Sequence, residues 1–199
     1  MPSIKNIEAA LALSKDESKL LGVTHGTQKI TPGQHIPKNG KQFHSSLESR
    51  REQGSLCDVP SEAQSAPELS FNGATTGPYI VIGIDLDAPF PSFSFLGPIL
   101  HWLQSGLKPE KAADGTTSLV AGDAPPVSDY AGPGPPPPSS PHRYVFLLYE
   151  QPEGFDPAKF APPGGKPMGV RPRMRWDLEA FEKEAKLGPV VASNYYLSN

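Results

Sequence analysis

A mainly β chain with a few peripheral helices is what this sequence predicts, on three observations. Short apolar runs such as YIVIGID (79–85) and HRYVFLLYE (142–150) are bounded by polar or Gly/Pro-rich corners. The chain carries 25 Pro and 19 Gly, a loading that favours turns and extended segments over long helices. Helical spacing is confined to one stretch near each end. At 199 residues, with 37% hydrophobic content and nine Phe, the chain supports one lean core. We therefore expect one domain over 1–199: an N-terminal helix and strand in 1–36, a mobile loop insertion over 38–65, and the core over 66–199.

In order, residues 4–21 read as one helix or two short ones, with Ile7, Ala10, Leu11 and Ser14 on one face and Gly22 as the stop. GVTHGTQKI reads as a strand, closed by TPGQ, where Pro32 and Gly33 suit the centre of a type II turn. The polar stretch that follows predicts an exposed loop with one helical turn near 45–53. APELSF is a short strand. In YIVIGID, Ile80, Ile82 and Ile84 oppose Val81, Gly83 and Asp85, and Asp87 joins the Asp85 face only if the strand stays regular. ILHWL is read as a short strand after Pro98. In HRYVFLLYE, His142 and Tyr144 point the same way. DLEAFEKEAKLG predicts a helix capped by Asp177, with Leu178, Phe181 and Ala185 inward and Gly188 closing it, and PVVASNYYL is a last strand.

Composition excludes several classes. A net charge of -3 speaks against nucleic acid as a partner. The one cysteine, Cys57, makes no internal disulfide, the N-terminus lacks a signal-peptide pattern, and no apolar stretch approaches the ~20 residues that cross a bilayer. A soluble, cytoplasmic protein with no transmembrane segment is the expectation.

The chemistry concentrates in two aspartates (Asp85, Asp87), two histidines (His101, His142), Tyr144 and a glycine-rich loop. A carboxylate at a buried strand end needs a partner, and an imidazole beside it gains basicity, so the pair offers a charged N–H to an anion. Gly132 and Gly134 leave room for backbone N–H groups to face such a ligand. The adjoining prolines could equally form a polyproline ligand, but the loop runs directly into the strand carrying His142, which favours a pocket wall. No histidine pair has close metal-ligand spacing, so no metal and no cofactor are expected. The cluster at Arg171, Arg173 and Arg175 reads as a solvated approach to the last helix. No nucleophile elbow, P-loop or dinucleotide fingerprint is present.

These segments together resemble the phosphatidylethanolamine-binding protein family, which includes Raf kinase inhibitor proteins, and specifically a fungal-type member. Asp85-Leu86-Asp87-Ala88-Pro89 is similar to the family's D-P-D-A-P motif, Leu100-His101-Trp102 to its short histidine strand, and Gly132, Gly134, Pro135, Pro136, His142, Arg143 and Tyr144 to its G-x-G-P-P…H-R-Y block. The resemblance covers 75–196 well. It implies an antiparallel β-sandwich, a cis Ala88–Pro89 bond, and a pocket formed by Asp85, Asp87, Pro89, His101, Gly132, Gly134, Pro135, His142 and Tyr144. Phosphate, phospholipid head groups or carboxylates would bind there. Leu86 departs from the motif, and Phe90, Phe93 and Phe95 stand where relatives carry a polar loop, so a more apolar mouth is expected. The leading functional expectation is a non-catalytic binding module with a possible kinase or protease partner. The alternatives are an enzyme-like role in fungal secondary-metabolite biosynthesis, with Asp85, His101 and His142 acting on anionic or anhydride intermediates, and carboxypeptidase inhibition.

Overall fold

The computed structural model describes residues 5–38 and 62–199. Most of the 38–65 segment, the helical turn foreseen near 45–53, and Cys57 lie outside those residues.

Helix α1 spans Lys5–Leu13, and a 3₁₀ turn follows at Glu17–Lys19, so the first segment folds as two short helices. Ile7, Ala10 and Ser14 are buried, as the spacing required. Gly22 does not stop a helix; it opens strand β1 (Gly22–His25). The strand foreseen over 22–30 is a hairpin instead. Gly26 takes a φ of 57°, a conformation glycine adopts freely, and turns the chain into β2 (Gln28–Lys29). The next turn is as foreseen: Gly33 sits at φ 78° and the Gln34 N–H donates to the Thr31 carbonyl at 3.0 Å, leading into β3 (Gln34–His35).

The body of the molecule is β4 (Glu68–Ser70), β5 (Tyr79–Asp85), β6 (Ile99–Lys111), β7 (Thr117–Val120), β8 (His142–Glu150) and β9 (Ala192–Ser198), with helices α2 (Val170–Arg173) and α3 (Leu178–Glu184) between the last two. Among the described residues, nine strands form one curled sheet in the order β2-β1-β4-β7-β6-β5-β8-β9-β3. The expected sandwich is therefore a single sheet folded toward itself. It is antiparallel except for β3, which runs parallel to β9.

Strand β6 makes the curl. Its first half pairs with β5 and its last residues, Lys108 to Lys111, pair with β7. Gly106, at φ 72°, lies in the register shift between the Tyr79 and Val81 pairings. ILHWL is thus only the apolar opening of a 13-residue strand. Its continuation, QSGLKPEK, is too polar and too broken by Gly and Pro to read as a strand. β7, only four residues long and half of it Thr and Ser, was not foreseen either.

Every residue of β5 is buried, and its alternation divides the core. Ile80, Ile82 and Ile84 pack with Ile7 and Ala10 of α1 and Leu178 and Phe181 of α3. Tyr79 and Val81 face Val23, Leu69, Trp102, Phe146 and Tyr196 inside the curl. Asp177 caps α3 by accepting the Ala180 N–H at 3.0 Å. The helix closes at Lys186, which adopts φ 55°, rather than at Gly188.

Candidate functional site

Three neighbouring strands deliver the site. Asp85 ends β5, and antiparallel pairing sets the beginnings of β6 and β8 beside it: Asp85 lies opposite Ile99 on one side and Tyr144 on the other. His101 and His142 are each two residues from those positions, so residues far apart in sequence meet at one sheet end.

Asp85 is 3% exposed and His142 is 1% exposed. One Asp85 oxygen accepts the Asp87 N–H at 2.8 Å, and the other lies 2.9 Å from His142 Nδ1. Burial opposes charge on this imidazole. The Asp85 hydrogen bond, with the charges of Asp85 and Asp87, outweighs it, and the His142 pKa stands above the usual histidine value. The ring's other nitrogen, Nε2, lies 2.8 Å from the hydroxyl of Ser139, whose Oγ is also 2.8 Å from the Ser140 carbonyl. With His142 charged, every proton has a place: Nδ1–H on Asp85, Nε2–H on Ser139, and the serine's own proton on Ser140.

His101 is the opposite case. Its Nδ1 lies 2.7 Å from the Ala131 carbonyl, which can only accept, so that nitrogen carries the proton. Burial lowers its pKa, and the Ala131 carbonyl and Asp85 offset this only in part, leaving a neutral ring whose Nε2 holds the lone pair. Tyr144 joins the two histidines, with its ring 5.1 Å from His101 edge-on and 6.5 Å from His142. Its hydroxyl accepts the Gly134 N–H at 3.3 Å, and burial raises its pKa, so it remains a phenol. Behind it Tyr196 stacks at 5.2 Å, and the buried His25 packs edge-on against Tyr196 at 5.5 Å.

The remaining foreseen residues divide. The Pro89 carbonyl faces the His142 ring, and the Ala88–Pro89 peptide is cis. Gly134 borders open space, whereas a Cβ on Gly132 would lie 2.4 Å from the Gln64 side chain and 2.8 Å from its Cα. Gln64 Nε2 donates to the Pro133 carbonyl at 2.9 Å, and Lys38 Nζ donates to that of Pro135 at 2.6 Å. Asp87 turns away from the cluster to Arg143, accepting its backbone N–H at 2.8 Å and two guanidinium bonds at 2.8 and 2.6 Å.

Sequence reasoning missed two residues here. Ser139 gave no signal beyond a hydroxyl in a Pro-rich run. Arg173, expected to be solvated, is 8% exposed and donates to the carbonyls of Leu100 (3.2 Å) and His101 (3.3 Å), bracing the start of β6. Phe90, Phe93 and Phe95, the residues from which an apolar mouth was expected, are 36%, 65% and 46% exposed. The described residues hold no cluster of three metal-ligating side chains, and none of their helices is long and apolar enough to cross a membrane.

Residues 26–196 match the family model described as phosphatidylethanolamine-binding protein. The chain belongs to that family. Among similar relatives, phomoidride biosynthesis cluster protein N of Talaromyces stipitatus is 32% identical over 153 residues, 70% of this chain and 74% of that protein. The carboxypeptidase Y inhibitor of Saccharomyces cerevisiae is 32% identical over 127 residues, 59% of this chain and 58% of its own. Solved structures of family members share the fold. A carboxypeptidase Y inhibitor, crystallised with its cognate proteinase, superposes with a TM-score of 0.66 at 22% identity, over 96% of this chain and 95% of its own. The Plasmodium vivax phosphatidylethanolamine-binding protein gives 0.61 at 14% identity, over 100% and 97%.

Proposed function

We propose that this family member is a binding module that holds a small anionic group, a phosphate, a phospholipid head group or a carboxylate, where β5 ends and β6 and β8 begin. One observation carries the reading: a buried, carboxylate-paired imidazole, His142, and a neutral one, His101, both packed against the ring of Tyr144. An arriving anion would take the place of Ser139 at His142 Nε2 and draw a proton onto His101 Nε2. Tyr144 and the Gly134 N–H would supply further donors.

Because binding takes up a proton at His101, affinity should rise as pH falls toward and below about 6.5. Titrating inorganic phosphate or acetate into the protein, while following the histidine side chains by NMR, tests this. Saturable shifts at His101 and His142 that vanish in His142→Ala are the expected result. Shifts that never saturate, or that survive the substitution, would reject it. Removing Ser139 with Ser139→Ala should tighten binding severalfold by uncovering Nε2.

The 32% identity to a biosynthesis cluster protein over most of both chains favours a second reading, an enzyme-like role in fungal secondary metabolism. A protein partner such as a kinase or protease remains part of the first. The relative solved with a proteinase supports it at the level of fold.

A further inference from the structure

Ser139 Oγ, His142 Nε2 and Nδ1, and Asp85 Oδ2 form an unbroken line at 2.8 and 2.9 Å. Burial runs along the same line: the serine is half-buried at the outer end, while the imidazole and carboxylate are buried behind it. That is the order a nucleophile, its base and the base's positioning group require. We propose that Ser139, His142 and Asp85 act as an acyl-transfer triad on activated esters bearing an apolar acyl group.

In the step, the Ser139 hydroxyl proton passes to His142 Nε2 as Oγ bonds to the ester carbonyl carbon. The resulting oxyanion collapses, the carbon–oxygen bond to the alcohol breaks, and the alcohol leaves with the proton from Nε2. Water, deprotonated by the same nitrogen, then releases the acid and restores Ser139. Asp85 touches no reacting atom; it positions the ring. The Ser140 N–H, next to the nucleophile, makes no backbone hydrogen bond among the described residues and is free to face the oxyanion.

The apolar preference comes from the mouth. Pro89, whose carbonyl faces His142, leads directly into Phe90. The Phe93 N–H donates to the Phe90 carbonyl at 2.9 Å, and Leu96 and Gly97 both donate to Ala88 at 3.2 and 3.1 Å. Phe93 and Phe95 rings lie 4.9 Å apart on this pinned loop, so an acyl chain would meet a preformed surface.

The triad shares residues with the anion site but works in the other protonation state. Asp85 from the end of β5, His101 from β6 and Tyr144 from β8 surround His142, and Asp87, though paired with Arg143, adds its charge from just beyond β5. Only the neutral ring is a base, so acylation should climb as pH rises through the His142 titration.

The full chain is incubated with p-nitrophenyl acetate or butyrate, and separately with a fluorophosphonate probe, from pH 6 to 9, followed by peptide mass spectrometry. The expected result is label on Ser139, ester turnover lowered roughly 100-fold in Ser139→Ala, and a rate rising with pH. Asp85→Asn should shift that pH profile to lower pH. Phe93→Ala should reduce the butyrate-over-acetate preference by roughly threefold. Absence of label on Ser139 at every pH, or undiminished turnover in Ser139→Ala, would overturn the triad. Phosphate-dependent histidine shifts in the same sample report on the anion reading separately: shifts without label reject the triad alone, and label without shifts rejects only anion binding.

Discussion

Asp85 and Asp87 stand two residues apart in one motif, are equally buried at 3% exposure, and have opposite fates. Asp85 pairs with an imidazole that is 1% exposed; Asp87 pairs with a guanidinium whose side chain is 44% exposed. The first pair depends on a group that titrates in the physiological range, the second on one that does not. One aspartate therefore has a titratable partner, and the other is a fixed brace that ties the β5 corner to the start of β8.

The contrast is broken most forcefully by Asp85→Ala. It strands a buried imidazole and should cost about 3–5 kcal/mol in urea denaturation at pH 6. A loss near that of a surface ion pair would mean that the Asp85–His142 contact contributes little.

The glycine loop that reaches the Tyr144 hydroxyl sharpens the same picture. Gly132→Ala drives a Cβ into Gln64, backbone included, and should cost about 1–3 kcal/mol. Gly134→Ala meets nothing within 4 Å and should stay within about 0.5 kcal/mol of the parent.

Arg143→Ala should cost only about 1 kcal/mol, because solvent screens a guanidinium that is nearly half exposed. Its cost should also be flat from pH 6 to 9. The Asp85 contribution behaves differently. The folded pKa of His142 is raised, so its stabilisation is complete below about 6.5 and is lost as pH rises through the elevated value. The gap between parent and Asp85→Ala should therefore narrow with rising pH while the Arg143→Ala gap does not. Denaturation midpoints across that range check both.

The parts of the molecule that could be read in advance are those where apolar patterning or turn chemistry acts locally. YIVIGID, HRYVFLLYE, the Pro32-Gly33 turn and the Asp177 cap all formed where expected. Asp85, His101, His142 and Tyr144 were legible as a set because three strand ends carry them. Asp87 was ambiguous since its direction depended on whether β5 continued, and β5 ends at Asp85. The polar half of β6 and all of β7 were illegible, because their pairing is set by the curl and not by hydrophobic alternation. Ser139 and Arg173 owe their roles to tertiary contacts with His142 and the β6 carbonyls, which no local pattern encodes.

The central claim is that one end of the sheet holds a charged His142 opposite a neutral His101. Imidazole ¹⁵N chemical shifts recorded across pH 5 to 9 test it directly. The account predicts that His142 loses its proton above 6.5 and His101 below it, with the Nδ1–H of both rings retained. The reverse order, or His142 neutral at pH 6, would contradict it.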